Sequence, residues 1–507
     1  MSGTVIDALT YWSRTKPDLP AINFDGDVIT YAELARWADG VAHDLAARGV
    51  QPGDRVGLVG ANTLEWCAAA LGALKVGAIV APFNQRMLAG ELTALVEDCE
   101  PTVVYCDEDL QSRLEEVRTA REGFSLAVFE QDVRPLRTGA HAGYRTPIVD
   151  LKDPTAIVFT SGTTGRPKGV IFTHASISGE MHEWSLMEPI LPNGLRPLLV
   201  LPLFSAAGIV WGISRVTLQG GTLFLQPKFD PEKALRVLSE DKATTLTGPP
   251  ILFDQISKVP GFTDADLSHL TTAHVGGARV PVDLLHAWQA QGVQLRQIYG
   301  QTEIGGSATA RPREEAAQYP DKCGWGGIFT KIRVVDAEGN DCAPHETGQI
   351  LLRGPGMMPG YWRNEDATKA TIIDGWLQTG DLGKLDENGY LTYVDRLKDM
   401  IISGGLNISP AEIETVVNRI PGVEEVAVIS VPDAKFGETP AAIVKTSVPL
   451  TELDIIDFCN QNLADYKVPR YVVFVDEPLP RMASGKIAKR DLRDSYADVP
   501  DTYAKVR

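Results

Sequence analysis

Apolar and polar positions alternate along the first 110 residues so as to predict helix and strand by turns. Leu34, Trp37, Ala38, Val41, Ala42 and Leu45 recur at the three- and four-residue intervals of one helix face. Thr30 and Glu33 precede that run at the spacing of a capping box, and Gly49 closes it. Arg55 to Val59 reads as a short apolar strand, Asn62 to Val76 as a second helix and Ile79 to Pro82 as the next strand. Such a rhythm predicts a largely parallel sheet with helices on both faces.

The rhythm resumes after Asp150. Ala156–Thr160, Leu198–Pro202, Thr244–Thr247, Thr271–Val275 and Leu295–Tyr299 read as strands, with helices over Pro231–Asp241 and Pro281–Gln291 between them. From about Lys331 the pattern changes. Lys331–Val335, Gln349–Arg353 and Tyr390–Val394 are short strands between Gly-, Asn- and Pro-rich turns, which predicts a small antiparallel region. Asp395–Asp399 (DRLKD) is a charged break. Beyond it, helices over Pro410–Arg419 and Glu452–Leu463 and strands over Glu425–Val431, Ala441–Thr446 and Tyr471–Val475 suffice for a small α+β domain. The expected fold class is therefore α/β: a large N-terminal domain over 1–395 and a small α+β C-terminal domain over 396–507.

Composition narrows the partners. Acidic residues number 66 and basic residues 48 among 507, a net charge of −18 that argues against nucleic acid. The six cysteines form no C-x-x-C pair and have no histidine cluster beside them, so a disulfide framework or zinc site is not expected. A reducing, cytoplasmic setting fits that usage. The first twenty residues lack the apolar core of a signal peptide. The most apolar stretch, Ala68 to Phe83, is interrupted by Gly72, Lys75, Gly77 and Pro82, so no transmembrane segment is expected.

The densest chemical signal is Thr160–Val170, TSGTTGRPKGV. Gly162, Gly165 and Gly169 allow backbone conformations closed to other residues, Ser161, Thr163 and Thr164 add hydroxyls, and Lys168 adds a positive charge. A strand delivers the loop, so its amides can converge on an anion. The Walker spacing is absent, and the plain alternative is a surface turn. Tyr299–Glu303 (YGQTE) follows a strand, where open α/β sheets bind ligands, and Glu303 could hold Mg²⁺. In isolation this pentapeptide reads equally as a capped helix start. Thr379–Asp381 (TGD) offers a carboxylate for a ribose diol or is a solvated turn. Gly276–Ala278 (GGA) admits a flat ring or is a tight turn. Ser484–Ile487 (SGKI) presents Lys486 near the chain end.

In chain order, TSGTTGRPKG, GGA, YGQTE, TGD, DRLKDMIISGGLNISPAEIE and PRMASGKI resemble the signature series of the acyl-adenylate-forming enzymes. Within them, KDMIISGGLNISPAEIE is most similar to the bacterial fatty-acyl and aryl-CoA ligase branch. The resemblance implies two half-reactions. A carboxylate attacks the α-phosphate of MgATP to give acyl-AMP and pyrophosphate, and the CoA thiol then displaces AMP. It implies that Thr160, Ser161, Gly162, Thr163, Thr164, Gly165 and Lys168 cradle the β- and γ-phosphates. Thr302 would contact the α-phosphate and Glu303 would bind Mg²⁺. Tyr299, Gly276, Gly277 and Ala278 would flank the adenine, with Gly300 among the nucleotide-binding residues. Asp381 and Arg396 would hold the ribose. Lys486 would bridge the attacking carboxylate and the α-phosphate, which suits an ammonium placed between two anions. Lys398 matches the hinge of a mobile C-terminal domain, and Gly404–Gly405 would line the pantetheine tunnel. ATP, Mg²⁺ and CoA are the implied cofactors, and a homodimer is the state common among relatives.

The chain departs from the family where many members carry P-x-F-H-x-x-G. Here Pro202–Gly208 reads PLFSAAG, and Ser205 stands in place of the histidine. An α-amino acid substrate is disfavoured, because amino-acid-activating members place an Asp there. Phe204, Ser205, Gly208, Gly305 and Gly306 predict a roomy, uncharged pocket, to which Trp184 could contribute. His182 and Arg215 are weaker candidates, Arg215 for a second substrate carboxylate. The expected activity is AMP-forming ligation of a fatty, cyclic or aromatic monocarboxylic acid to CoA. The alternatives are an acyl-AMP ligase that loads an acyl carrier protein, a non-catalytic ligand-binding homologue and a luciferase-type oxygenase.

Overall fold

The computed structural model describes residues 3–160, 167–188, 194–277, 280–316, 318–319, 322–403, 406–482 and 485–506. The chain divides into two compact units, Met1–Ile332 with Leu352–Gln378, and Arg333–Leu351 with Thr379–Arg507.

Two sheets organise the first unit. One runs in the order Ser125–Val128, Val103–Cys106, Arg55–Val59, Ile79–Phe83, Pro154–Thr160 and Lys168–Thr173. Its pairs are parallel except the last, an antiparallel hairpin. The other runs Leu295–Ile298, Thr272–Gly276, Thr245–Gly248, Pro197–Leu199, Leu223–Leu225, Pro20–Phe24 and Asp27–Thr30. It too is parallel until its final antiparallel pair. The parallel α/β architecture expected of the large domain is present.

Local chemistry explains the helix boundaries. The Thr30 hydroxyl accepts from the Glu33 amide at 3.3 Å, and Glu33 accepts from the Thr30 amide at 2.8 Å, starting the helix Tyr31–Ala47. A cap of this kind contributes about 1 kcal/mol. The apolar stretch after Thr63 is the helix Leu64–Val76, buried at every position except Leu74. It is a core helix: Lys75 within it pairs with Asp39 and donates to the Ala35 carbonyl. Asn62, expected to begin this helix, lies outside it. Its side chain instead donates to the Leu201 and Gln226 carbonyls and accepts from the Leu203 amide at 2.8 Å. Among the described residues no helix is long and apolar enough to cross a membrane.

The second unit contains Gly348–Leu351 of the strand Gly348–Arg353, Thr379–Leu385 of the strand Trp376–Leu385, and the strand Leu391–Arg396, the last two antiparallel. Its other sheet runs Leu406–Ile408, Ile401–Ser403, Gly437–Thr446 and Val423–Asp433, with Tyr471–Phe474 added parallel to Gly437–Thr446. Helices Pro410–Val417 and Glu452–Asn462 contribute Ile413, Val417, Ile455 and Cys459 to one face of that sheet. Leu479, Leu492 and Val499 cluster with Ile429 and Ile443 on the other. All six cysteines are free.

Candidate active site

The Gly/Thr-rich segment joins two antiparallel strands whose end residues, Thr160 and Lys168, are register partners. Ser161, Gly162, Thr163, Thr164 and Gly165 lie outside the described residues, as do Ala278, Gly404 and Gly405. Lys168 opens the return strand Lys168–Thr173, which the sequence pattern leaves unassigned. Its ammonium stands 5.0 Å from the centre of the Tyr361 ring. The Tyr361 hydroxyl donates to Glu303 Oε1 at 3.0 Å. One tyrosine thus touches both the lysine of the first motif and the carboxylate of the second.

Backbone pairing holds that tyrosine in place. The Trp362 amide donates to the Gly169 carbonyl at 2.7 Å, and the Ile171 amide donates to the Gly360 carbonyl at 3.2 Å. Four residues before Trp362, the Met358 amide donates to the Glu303 carbonyl at 2.9 Å. Met358–Trp362 is therefore a strap stitched to the strand Lys168–Thr173 at one end and to the Glu303 turn at the other. Gly169 permits this, since a Cβ there would meet Trp362 Cβ at 3.2 Å and Ile157 Cγ2 at 2.7 Å. Burial and the Glu303 charge push the Tyr361 hydroxyl well above its ordinary pKa, so it remains a donor. Sequence reasoning misses Tyr361; the only available signal is an aromatic pair inside a Gly/Pro turn.

YGQTE follows the strand Leu295–Ile298, as expected, and Thr302–Ile304 is a single tight helical turn. Tyr299 is buried, and its amide donates to the Thr309 hydroxyl at 2.7 Å. Gly300 is needed for closure of its own loop, because a Cβ there would stand 2.4 Å from the Gly306 carbonyl oxygen. Gly276 is packed under Ile298, and Gly277 adopts a φ of 81°. Gln301 Nε2 is buried and has no hydrogen-bond partner among the described residues. An orphaned amide donor beside Thr302, a carboxylate fixed by a tyrosine and a lysine close by fit a magnesium-bound phosphate chain.

The glycines expected to open the acid pocket lie against protein groups. Gly305, Gly306 and Gly208 do not leave open room. A Cβ on Gly305 would fall 1.5 Å from Glu180 Oε2, and one on Gly306 would fall 2.6 Å from Trp211 Nε1. Trp211 Nε1 also donates to the Gly305 carbonyl at 3.1 Å. A Cβ on Gly208 would clash with the Leu203 backbone at 2.3 Å. These glycines admit neighbouring protein groups, one of them a carboxyl, so they do not themselves open the pocket. Phe204 is half-buried, and the Ser205 hydroxyl donates to the Pro202 carbonyl at 2.7 Å. Trp184 is core, edge-on to Trp211 at 4.9 Å and to His274 at 5.2 Å. His182 is exposed and stacks on Phe329. Arg215 is buried, lies over Trp211 at 5.4 Å and bonds Gln219.

In the second unit, TGD lies within a strand, not in a solvated turn. Asp381 and Arg396 face each other across the antiparallel pair, with Nε 3.7 Å from Oδ1. Asp381 is buried. Lys486 sits in a tight turn: the Met482 amide donates to the Lys486 carbonyl and the Gly485 amide to the Met482 carbonyl, each at 2.8 Å. Arg481 reaches across the turn to the Gly485 carbonyl at 2.9 Å and also pairs with Glu425. Burial, reinforced by Arg396 and opposed by Asp381, lowers the Lys486 pKa below the ordinary lysine value. Lys398 is exposed in the turn Leu397–Asp399. The segment around it is anchored at both ends. Asp395 accepts from the Ser409 hydroxyl at 2.7 Å and the Ala411 amide at 3.1 Å, and Asp399 pairs with Arg493 at 2.5 Å.

Comparison with known proteins decides the family. The AMP-binding enzyme model matches residues 9–362, and the AMP-binding enzyme C-terminal domain model matches residues 412–486. The chain belongs to the AMP-binding enzyme family. It is 36% identical to a feruloyl-CoA synthase of an Amycolatopsis species, over 96% of this chain and 97% of that one. It is 35% identical to a long-chain-fatty-acid–CoA ligase of Mycobacterium tuberculosis, over 93% and 94% of the two chains. Its fold matches ATP-bound MatB from Rhodopseudomonas palustris with a TM-score of 0.91 at 31% identity, over 98% of this chain and 100% of that one. The motif series therefore belongs to an adenylate-forming enzyme, as the resemblance implies.

Proposed function

We propose that this enzyme is an AMP-forming carboxylic acid:CoA ligase acting on a fatty, cyclic or aromatic monocarboxylic acid. The acid and MgATP give acyl-AMP and pyrophosphate; CoA then gives acyl-CoA and AMP. The observation that carries the reading is the strap Met358–Trp362, which sets Tyr361 against both Lys168 and Glu303. A cation and a metal-binding carboxylate beside one phosphate loop suit transfer at a polyphosphate. The relatives, a feruloyl-CoA synthase and a fatty-acid–CoA ligase among them, support the choice of CoA and the span of acids.

Each residue then has a role. Glu303 holds Mg²⁺, which when bound offsets the phosphate charge. Lys168, with Thr160 and the loop after it, binds the terminal phosphates, and Thr302 the α-phosphate. Asp381 and Arg396 bind the ribose. Lys486 offsets the repulsion between the incoming carboxylate and the α-phosphate. Lys398 is the pivot between the two half-reactions, and the functional boundary falls at 395/396. The enzyme works in the cytoplasm as a homodimer.

The test is pyrophosphate release from MgATP across short to long fatty acids, benzoates, cinnamates, alicyclic acids and amino acids, each with and without CoA. Rapid turnover only with CoA, giving acyl-CoA, is the expected result. Multiple turnovers indifferent to CoA would point to another acceptor, such as a carrier protein. No release with any acid would overturn the reading.

A further inference from the structure

Glu180 and Glu183 lie on the helix His174–Met187, and both are buried, at 2% and 3% exposure. Their surroundings are opposite. Glu183 accepts from the Phe329 amide, from the Thr330 amide at 2.7 Å and from the Thr330 hydroxyl at 2.7 Å. It is a satisfied structural carboxylate. Among the described residues Glu180 has no hydrogen-bond partner on either oxygen. A buried polar group without partners is costly, and such exceptions in native folds call for an explanation.

Its position supplies one. Glu180 Oε2 occupies the space beside Gly305 and lies 2.5 Å from where a Cβ on Gly356 would stand. Gly305 follows Thr302–Ile304 directly, and Trp211 caps its carbonyl. The orphaned carboxyl therefore stands one residue beyond the turn that bears Thr302 and Glu303. Burial pushes its pKa well above the ordinary carboxyl range, with Glu183 adding to the shift and the nearby Ser307 amide and Arg215 opposing it. A protonated carboxyl offers one donor and retains acceptor capacity, and a hydroxyl can answer both. A substrate ammonium is disfavoured by Arg215, which lies within electrostatic reach.

We infer that Glu180 is a specificity-determining residue, and that the acid this enzyme activates carries a hydroxyl group which hydrogen-bonds its carboxyl. The inference rests on the ligase reading above and narrows its substrate class to hydroxylated acids. The Trp211 indole borders the same turn, its Nε1 donating to the Gly305 carbonyl at 3.1 Å.

The experiment compares matched acids that differ only by a hydroxyl: 4-hydroxycinnamate against cinnamate, an ω-hydroxy fatty acid against its parent, and a hydroxylated alicyclic acid against the unsubstituted ring. The readout is kcat/KM for CoA-dependent turnover in the native enzyme, Glu180→Gln and Glu180→Leu. The native enzyme should favour the hydroxylated member of at least one pair by about tenfold or more, because a site built around a hydroxyl rejects the analogue that lacks it. Glu180→Gln keeps a donor and an acceptor at similar volume and should retain most of that preference. Glu180→Leu should abolish or invert it. No preference in any pair for the native enzyme overturns the inference, as does an equal loss on both members in Glu180→Leu. If Glu180→Leu does not fold, the native and Glu180→Gln ratios still decide. Turnover without hydroxyl discrimination defeats this inference alone, whereas absence of turnover with every acid defeats the ligase reading as well.

Discussion

Tyr361→Phe removes one oxygen and leaves the ring. The hydroxyl donates to Glu303 Oε1 at 3.0 Å, so the variant loses one hydrogen bond to the carboxylate proposed to hold Mg²⁺. The Lys168 ammonium, 5.0 Å from the ring centre, keeps its aromatic partner. A hydrogen bond to a charged acceptor is worth about 1.5–3 kcal/mol, and each 1.4 kcal/mol is about tenfold, so a loss of about 10- to 100-fold is expected. It should fall on Mg²⁺ use: the Mg²⁺ concentration that half-saturates pyrophosphate release should rise, with partial recovery at high Mg²⁺. The backbone pairing of Met358–Trp362 does not pass through the hydroxyl, so the thermal midpoint should change little. Tyr361→Leu removes the ring too and should additionally raise the KM for MgATP. If the Mg²⁺ dependence of Tyr361→Phe stays within about twofold of native, the hydrogen bond does not position Glu303 and the reasoning fails.

Lys486→Ala should lose pyrophosphate release yet still form acyl-CoA from supplied acyl-AMP; equal loss of both half-reactions would refute its assigned role. Arg481→Ala should show the same split in weaker form, because Arg481 braces the Lys486 turn through the Gly485 carbonyl and Glu425, and a uniform loss would make it merely structural. Lys398→Pro fixes one backbone dihedral in the anchored turn Leu397–Asp399, so single-turnover assays should show thioester formation slowed more than adenylation. His274 is fully buried; burial and Arg296 push its pKa from 6.5 down to about 4, against the pull of Glu188. The unfolded state then binds more protons between those values, so this contribution is complete above pH 6.5 and drains as pH falls toward 4. It amounts to roughly 3 kcal/mol at most, and urea unfolding of His274→Phe should lack that acid loss; an unchanged acid limb would refute it.

What could be read from the sequence is what local chemistry decides. Thr30 and Glu33 announce their helix because both halves of the cap lie within four residues. Arg55–Val59 and Lys331–Val335 coincide with the strands read from their apolar runs. The strand Lys168–Thr173 was not legible as one. Its edges are completed by Pro154–Thr160 on one side and by Gly360–Trp362 on the other, nearly two hundred residues further along the chain. Tyr361 escapes notice for the same reason: alone it is an aromatic in a turn, and it acquires its role only when that pairing sets it between Lys168 and Glu303.

The glycines show a different limit. A glycine in a motif states that some atom must come close to the backbone, but not which atom. At Gly169 the visitor is Trp362, and the closeness builds the strap. At Gly208 it is the Leu203 backbone, and the closeness merely turns the chain. At Gly305 and Gly306, where the spacing suggests room for substrate, Glu180 and Trp211 have moved in. The same missing Cβ that would enlarge a pocket has here let a carboxyl and an indole fill the space. On the inference drawn for Glu180, substrate choice rests less on the motif glycines than on the two side chains they admit, neither of which belongs to a motif. An alteration of Glu180 or Trp211 should therefore shift acid preference while leaving nucleotide affinity near native, whereas an alteration of Glu303 or Tyr361 should do the reverse.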